Sequence, residues 1–119
     1  MRVRVVNDTR GSVLAEEAVV ARTFGQRLKG LLLRRNFPPG TGLVIEPCQA
    51  IHTFFMLFPI DAVFYDHNGR VVALYTALGP FRLTHPVKAA RGVVELPVGM
   101  VAATKTGVGD HLTFLVFAQ

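Results

Sequence analysis

The chain has no tryptophan, one cysteine and few charges: only 18% of its 119 residues are Asp, Glu, Lys or Arg. A lone cysteine, Cys48, cannot form an internal disulfide, which agrees with a reducing compartment. It also excludes cysteine-only zinc sites and a C-x-x-C redox pair. No apolar run approaches the roughly 20 residues that span a bilayer. The densest run, Phe54 to Ile60, contains Pro59 and stops at Asp61. Met1 to Asp8 has basic groups but no continuous apolar stretch behind them, so it does not read as a signal peptide. A cytoplasmic protein without a membrane span is expected. Linker-like stretches, low-complexity segments and internal repeats are missing too. What is present is apolar: 50% of the residues are hydrophobic. That content argues against disorder, and the length suits a single domain over 1–119.

The formal net charge of +5 is uneven. Residues 1–35 hold eight basic and three acidic groups, while residues 36–119 hold five of each. Arg22, Arg27, Arg34 and Arg35 could bind phosphate, and the basic N-terminal third could meet nucleic acid or an anionic surface. Stacking aromatics would strengthen that reading, but Phe24 is the only aromatic there and its spacing marks it as core. Basic side chains alternating with apolar ones fit ordinary solvated faces better. Nucleic acid is therefore a disfavoured partner.

The hydrophobic pattern is mostly that of β-structure. Arg2 to Val6 alternates with period two, Asn7 to Gly11 is a turn cluster, and Ser12 to Ala21 reads as a second strand pairing back, although Glu16-Glu17 fits it poorly. Thr23-x-x-Gln26 matches a capping box, and Phe24, Leu28, Leu31 and Leu32 follow at helical spacing, predicting a helix over about 24–33. Strands are predicted at Leu43–Glu46, Ile51–Leu57, Ile60–Tyr65, Arg70–Thr76, Gly92–Leu96 and His111–Phe117. Asn68-Gly69 between two of them is a strong hairpin signal. A short helix is predicted over about 97–105, with Pro97 in its first turn and Gly107 past its end. The expected fold is mainly β: a compact antiparallel barrel-like domain with two short helices.

Three stretches carry a resemblance: Arg27-Leu28-Lys29-Gly30-Leu31-Leu32-Leu33-Arg34; Phe55 to Val72; and Val93-Val94-Glu95-Leu96-Pro97-Val98-Gly99 followed by Gly107-Val108-Gly109-Asp110. In this order and spacing the chain resembles the domain of unknown function 192 family over about residues 20–117. The resemblance implies a small β-rich domain and no established activity. Many members carry Trp-Met-Lys-Asn where this chain has Phe55-Met56-Leu57-Phe58.

Several residues have types suited to chemistry. Cys48, His52 and Met56 are soft ligands spaced by four, a set that suits copper(I) or zinc. On a strand this spacing covers about 13 Å, too far for one metal, unless the chain folds back. The alternative is a buried thiol, a hydrogen-bonded imidazole and a core thioether. No metal or cofactor is expected. An enzyme using Cys48, His52 or Asp61 is a further alternative. Asp61 and Glu95 are acids embedded in apolar strands, which requires a partner or a raised pKa. They are either site carboxylates, as general acid/base groups or ligand anchors, or structural acids bonded to backbone N–H groups or to Arg27 or Arg91. Gly40-Thr41-Gly42 and Gly107-Val108-Gly109 lack the lysine and context of a phosphate loop. The aromatics Phe54, Phe55, Phe58, Phe64 and Tyr65 straddle both faces of their strands, so one side could wall a pocket or a partner surface. The function expected is a ligand- or partner-binding module, taking a small molecule or a protein, with Cys48, His52, Met56, Asp61 and Glu95 as the candidate site.

Overall fold

A computed structural model describes residues 1–22, 37–54 and 56–117. The elements are β1 (Arg2–Asn7), β2 (Ser12–Ala21), β3 (Thr41–Ile45), β4 (Ile60–Tyr65), β5 (Val71–Leu78), β6 (Gly92–Pro97), α1 (Met100–Thr104) and β7 (Leu112–Val116). The strands form one curled sheet in the order β5-β4-β6-β3-β2-β1-β7. All pairs are antiparallel except β2–β3, where residues 22–40 make the long crossover that parallel neighbours require. The two edges approach at one end. Arg70 bridges His111, and the Val71 and Leu112 amides donate to the carbonyls of Asp110 and Gly69 at 2.8 and 2.7 Å. Among the described residues, no helix is long and apolar enough to cross a membrane.

Each face of the sheet has its own core. All seven strands and α1 contribute to the enclosed one, through Val5, Leu14, Val44, Val63, Val71, Leu96, Val101 and Leu112 among others. The second lies across β3, β4 and β6 and is covered by the loops that hold Cys48, Ile51, Met56 and Ala90. β4 is buried along its whole length, with Phe64 in the second core and Tyr65 in the enclosed one. The aromatic residues that straddle β4 are thus core on both sides.

The adjacent glutamates of β2 are explained by a register shift between Val3/Ala18 and Val5/Ala15. The irregularity turns both outward, where Glu16 meets Arg4 at 3.2 Å and Glu17 meets Arg2 at 2.7 Å. The hairpin at Asn68-Gly69 forms as expected. Gly69 has φ 79°, and the Asp66 carboxylate accepts the Asn68 and Arg70 amides at 2.9 Å.

Two expectations need correction. Ile51–Leu57 is not a strand. Among its described residues the one ladder contact is the bridge from His52 to Leu83, and at Thr53 the chain turns, with the Met56 amide donating to the Thr53 carbonyl at 3.2 Å. The second helix is five residues long and not nine, because Pro97 is still paired with Ile60 as the last residue of β6. Gly99 at φ 96° then starts the helix, and Lys105 at φ 56° ends it. The helix expected over 24–33 lies outside the described residues.

Gly92 starts β6 where nothing larger fits. A Cβ there would stand 2.5 Å from the Tyr65 hydroxyl and 2.7 Å from the Ile45 carbonyl oxygen. Gly92→Ala is expected to cost about 2 kcal/mol through forced displacement of backbone, read as a lower urea midpoint with unchanged slope.

Candidate functional site

The structure divides the residues singled out from the sequence. Asp61 sits on β4 paired with Leu96, and its side chain is committed to the backbone. Oδ1 accepts the Ala77 amide at 2.9 Å; Oδ2 accepts the Gly99 and Val101 amides at 3.1 and 2.9 Å. It therefore caps α1 and holds Ala77 in the left-handed region, at φ 49°. This is the structural alternative of a carboxylate bonded to backbone N–H groups.

Glu95 faces the other way. It lies between Leu43 of β3 and Ala62 of β4, both members of the second core, and is only 4% exposed. Among the described residues it has no hydrogen bond or ion pair. Desolvation alone pushes its carboxyl up to about 8. Arg91, a proposed partner for these acids, pairs instead with Glu46.

Cys48 and Met56 enter the second core, while His52 is exposed and rests on Phe54, with ring centroids 5.2 Å apart. The Cys48 thiol donates to the Ala50 carbonyl at 3.2 Å. The chain does fold back, but it leaves His52 outside the core that receives the two sulfurs. Among the described residues no three of His, Cys, Asp and Glu converge as metal ligands. Cys48, His52 and Asp61 do not share a cleft either, since Asp61 is on the opposite face of the sheet from Cys48.

Polar groups do gather around an open pocket of about 460 Å3 lined by Arg22, Glu46, Pro47, Gln49, His67, Ala90 and Arg91. Each is held by a neighbouring strand end. Arg22 follows β2, and Glu46 follows β3, its amide donating to the Ala21 carbonyl at 3.2 Å. His67 is in the β4–β5 hairpin, and Arg91 precedes β6, its amide donating to the Tyr65 carbonyl at 2.8 Å. The Gln49 side chain is fixed by donating to the Lys88 carbonyl at 2.9 Å.

Glu46 is the centre of this group. The Tyr65 hydroxyl donates to its Oε2 at 2.5 Å, Arg22 approaches Oε1 at 3.4 Å, and Arg91 approaches Oε2 at 3.5 Å. Burial, and then the bond to Glu46, push the Tyr65 phenol well above its usual range, so it remains a donor. Arg91 Nη1 is also 3.3 Å from His67 Nδ1. A guanidinium can only donate, so this contact requires His67 neutral with its proton on Nε2. The pocket thus presents two guanidiniums and an imidazole N–H around one carboxylate that is already engaged. The sequence reading named Arg22 but missed Glu46, His67 and Arg91 as a group. They are separated by 20 to 25 residues along the chain and carry no spacing motif.

The profile of domain of unknown function 192, described as "Uncharacterized ACR", matches residues 5–114. The chain is 34% identical over 115 residues to the UPF0127 protein TK1120 of Thermococcus kodakarensis, covering 92% of this chain and 72% of that protein. It is 35% identical over 117 residues to the UPF0127 protein PYRAB11210 of Pyrococcus abyssi, covering 93% and 97%. Two crystal structures share the fold. One, named as a candidate transcription regulator from Sinorhizobium meliloti, is 22% identical with a TM-score of 0.81, over 95% of this chain and 92% of that one. The other, of unknown function from Novosphingobium aromaticivorans, is 19% identical with a TM-score of 0.78, over 95% and 84%.

Proposed function

The chain belongs to the domain of unknown function 192 family, which has no established activity, and we propose that it is a binding module for a small acidic ligand. The observation that carries this is the pocket of Arg22, Glu46, Gln49, His67 and Arg91, where donors outnumber acceptors. A carboxylate or phosphate entering it would meet guanidinium groups able to donate paired N–H bonds. Neutral His67 would offer Nε2–H as a further donor. Glu46 and Tyr65 keep the two arginines converged before the ligand arrives, which lowers the ordering cost of binding. On this reading the ligand enters the pocket, which is lined by residues other than the expected set of Cys48, His52, Met56, Asp61 and Glu95. Of those residues Asp61 is committed to three backbone amides, while the side chains of buried Glu95 and exposed His52 have no hydrogen bond among the described residues.

The alternative basic footprint of the N-terminal third receives less support. Arg2, Arg4, Arg10 and Arg22 are each ion-paired, with Glu17, Glu16, Asp110 and Glu46. Arg27, Arg34 and Arg35 lie outside the described residues.

Titration with inorganic phosphate and with malonate, followed by NMR, tests the proposal. Saturable shifts are expected at His67 and at the Arg91 side chain, and Arg91→Gln is expected to weaken binding at least about tenfold. Equal, non-saturating shifts across the surface with either anion would sink it.

A further inference from the structure

We propose that the chain docks on an anionic lipid surface through two joined loops that carry Phe54, Leu57, Phe81 and Leu83. These side chains are exposed, Leu57, Phe81 and Leu83 by 73%, 68% and 70%. They are not scattered. The rings of Phe54 and Phe81 are 6.4 Å apart, and the residue before Leu83 in one loop is bonded to Thr53 in the other.

The loops are built to present them. Buried Thr53 fastens the two together: its amide donates to the Arg82 carbonyl at 2.9 Å, and its hydroxyl to the Gly79 carbonyl at 2.6 Å. It accepts in return from the Phe81 and Arg82 amides, at 3.1 Å on its carbonyl and 2.9 Å on its hydroxyl. Thr84 adds a second fastening, its amide donating to the Ile51 carbonyl and its hydroxyl accepting the Ile51 amide. Phe81 is held at φ 60°, a left-handed backbone that a bulky side chain rarely adopts. Such strain persists only where surrounding bonds over-determine it. Here those bonds hold a phenyl ring in solvent, an arrangement that does nothing for the core.

Charge identifies the occupant. Residues 47–60 and 67–94 contain no Asp or Glu, while Arg82, His85 and Lys88 are exposed on the second loop and His52 on the first. Apolar tips with basic residues beside them match the interface of a bilayer containing anionic lipid, where the tips enter the acyl boundary and the cations meet headgroups. Aromatic and aliphatic tips carried on two loops suit a fluid slab better than a protein surface, which would need matching pockets to receive them. Phe54, Leu57, Phe81, Leu83 and Arg82 do not line the pocket around Glu46, so either reading can fail alone.

Co-sedimentation with vesicles of phosphatidylcholine and phosphatidylglycerol in equal parts tests it, with phosphatidylcholine vesicles alone as the comparison. Binding to the anionic vesicles is expected, with little binding to the neutral ones. The double variant Leu57→Ser/Leu83→Ser is expected to reduce partitioning at least about tenfold. Both positions are exposed, so an unchanged melting temperature should accompany that loss. Arg82→Gln is expected to weaken binding and its salt dependence together. No binding to anionic vesicles overturns the proposal, as does equal binding by the double variant. Self-association that the double variant abolishes, without vesicle binding, assigns the loops to a second copy and overturns it too.

Discussion

Glu95→Gln should flatten the upper part of the stability–pH profile. In the native protein the Glu95 carboxyl is pushed from 4.5 up to about 8 by burial between β3 and β4. Between those values the folded state keeps a proton that the unfolded chain has released. Stability from this residue is therefore complete below pH 4.5 and falls as pH rises, by up to about 1.4 kcal/mol per unit. The loss amounts to about 3 kcal/mol by pH 7 and ends once pH exceeds the folded value. Glutamine has nearly the same shape and no proton to lose. Urea midpoints of wild type and variant should converge near pH 4.5 and separate with rising pH, the variant being the more stable. Parallel curves would mean that Glu95 is ionised in the fold, held by a partner. Addition of an anchored cationic ligand would produce the same behaviour, so the measurement also probes whether this face binds one.

Much of the sheet was legible because its residues alternate where one face is solvated, as in Arg2-Val3-Arg4-Val5. The β4–β5 hairpin was legible because Asn68-Gly69 specifies the turn locally. Ile51–Leu57 misled because β-forming residues there are used for exposure and burial in a folded-back loop. The cause, Thr53 bonding across to residues 79–82, is a contact nearly thirty residues away that no local pattern encodes. The shortened α1 has a similar origin. Pro97 is acceptable in the first turn of a helix, but its pairing with Ile60 keeps it in β6, and the cap comes from Asp61 about forty residues earlier. For the site, single residues could be marked as unusual, and the dichotomy for Asp61 and Glu95 was visible. Which face each acid takes depends on strand register, and here Asp61 opposes Leu96 while Glu95 opposes Ala62. The Glu46 pocket was hidden because four strand ends must meet before its charges do.

Asp110→Ala is expected to destabilise the protein by about 3 kcal/mol, through the loss of three hydrogen bonds to one buried carboxylate. Oδ2 of Asp110 accepts from Asn7 Nδ2 at 3.0 Å, Arg10 Nε at 3.1 Å and the Gly107 amide at 2.9 Å. Asn7 is fully buried, and its amide nitrogen would retain only Thr106 Oγ1, at 3.1 Å. The position matters as much as the number of bonds. Asp110 joins the end of β1 to the Gly107-Val108-Gly109-Asp110 turn, beside the point where the edges of the curled sheet meet. A lower melting temperature, by about 10 °C, should therefore come with faster hydrogen exchange at the Val71 and Leu112 amides. Exchange at β3 and β6 should change only in proportion to global stability. The bond from Asn7, with those from Gly107 and Arg10, holds the Asp110 carboxyl below its usual value. This contribution is present above pH 3.8 and is lost as pH falls through the depressed folded value, the reverse of the Glu95 dependence. Wild type should consequently be most stable near pH 4 to 5, in the window between the two titrations. Asp110→Ala should make the acid side of that maximum shallower, with Asp8, held below its usual value by Thr113 and His111, still contributing there, and Glu95→Gln should flatten the alkaline side. A double variant should show both changes, and because the two residues lie in separate regions their effects on stability should add.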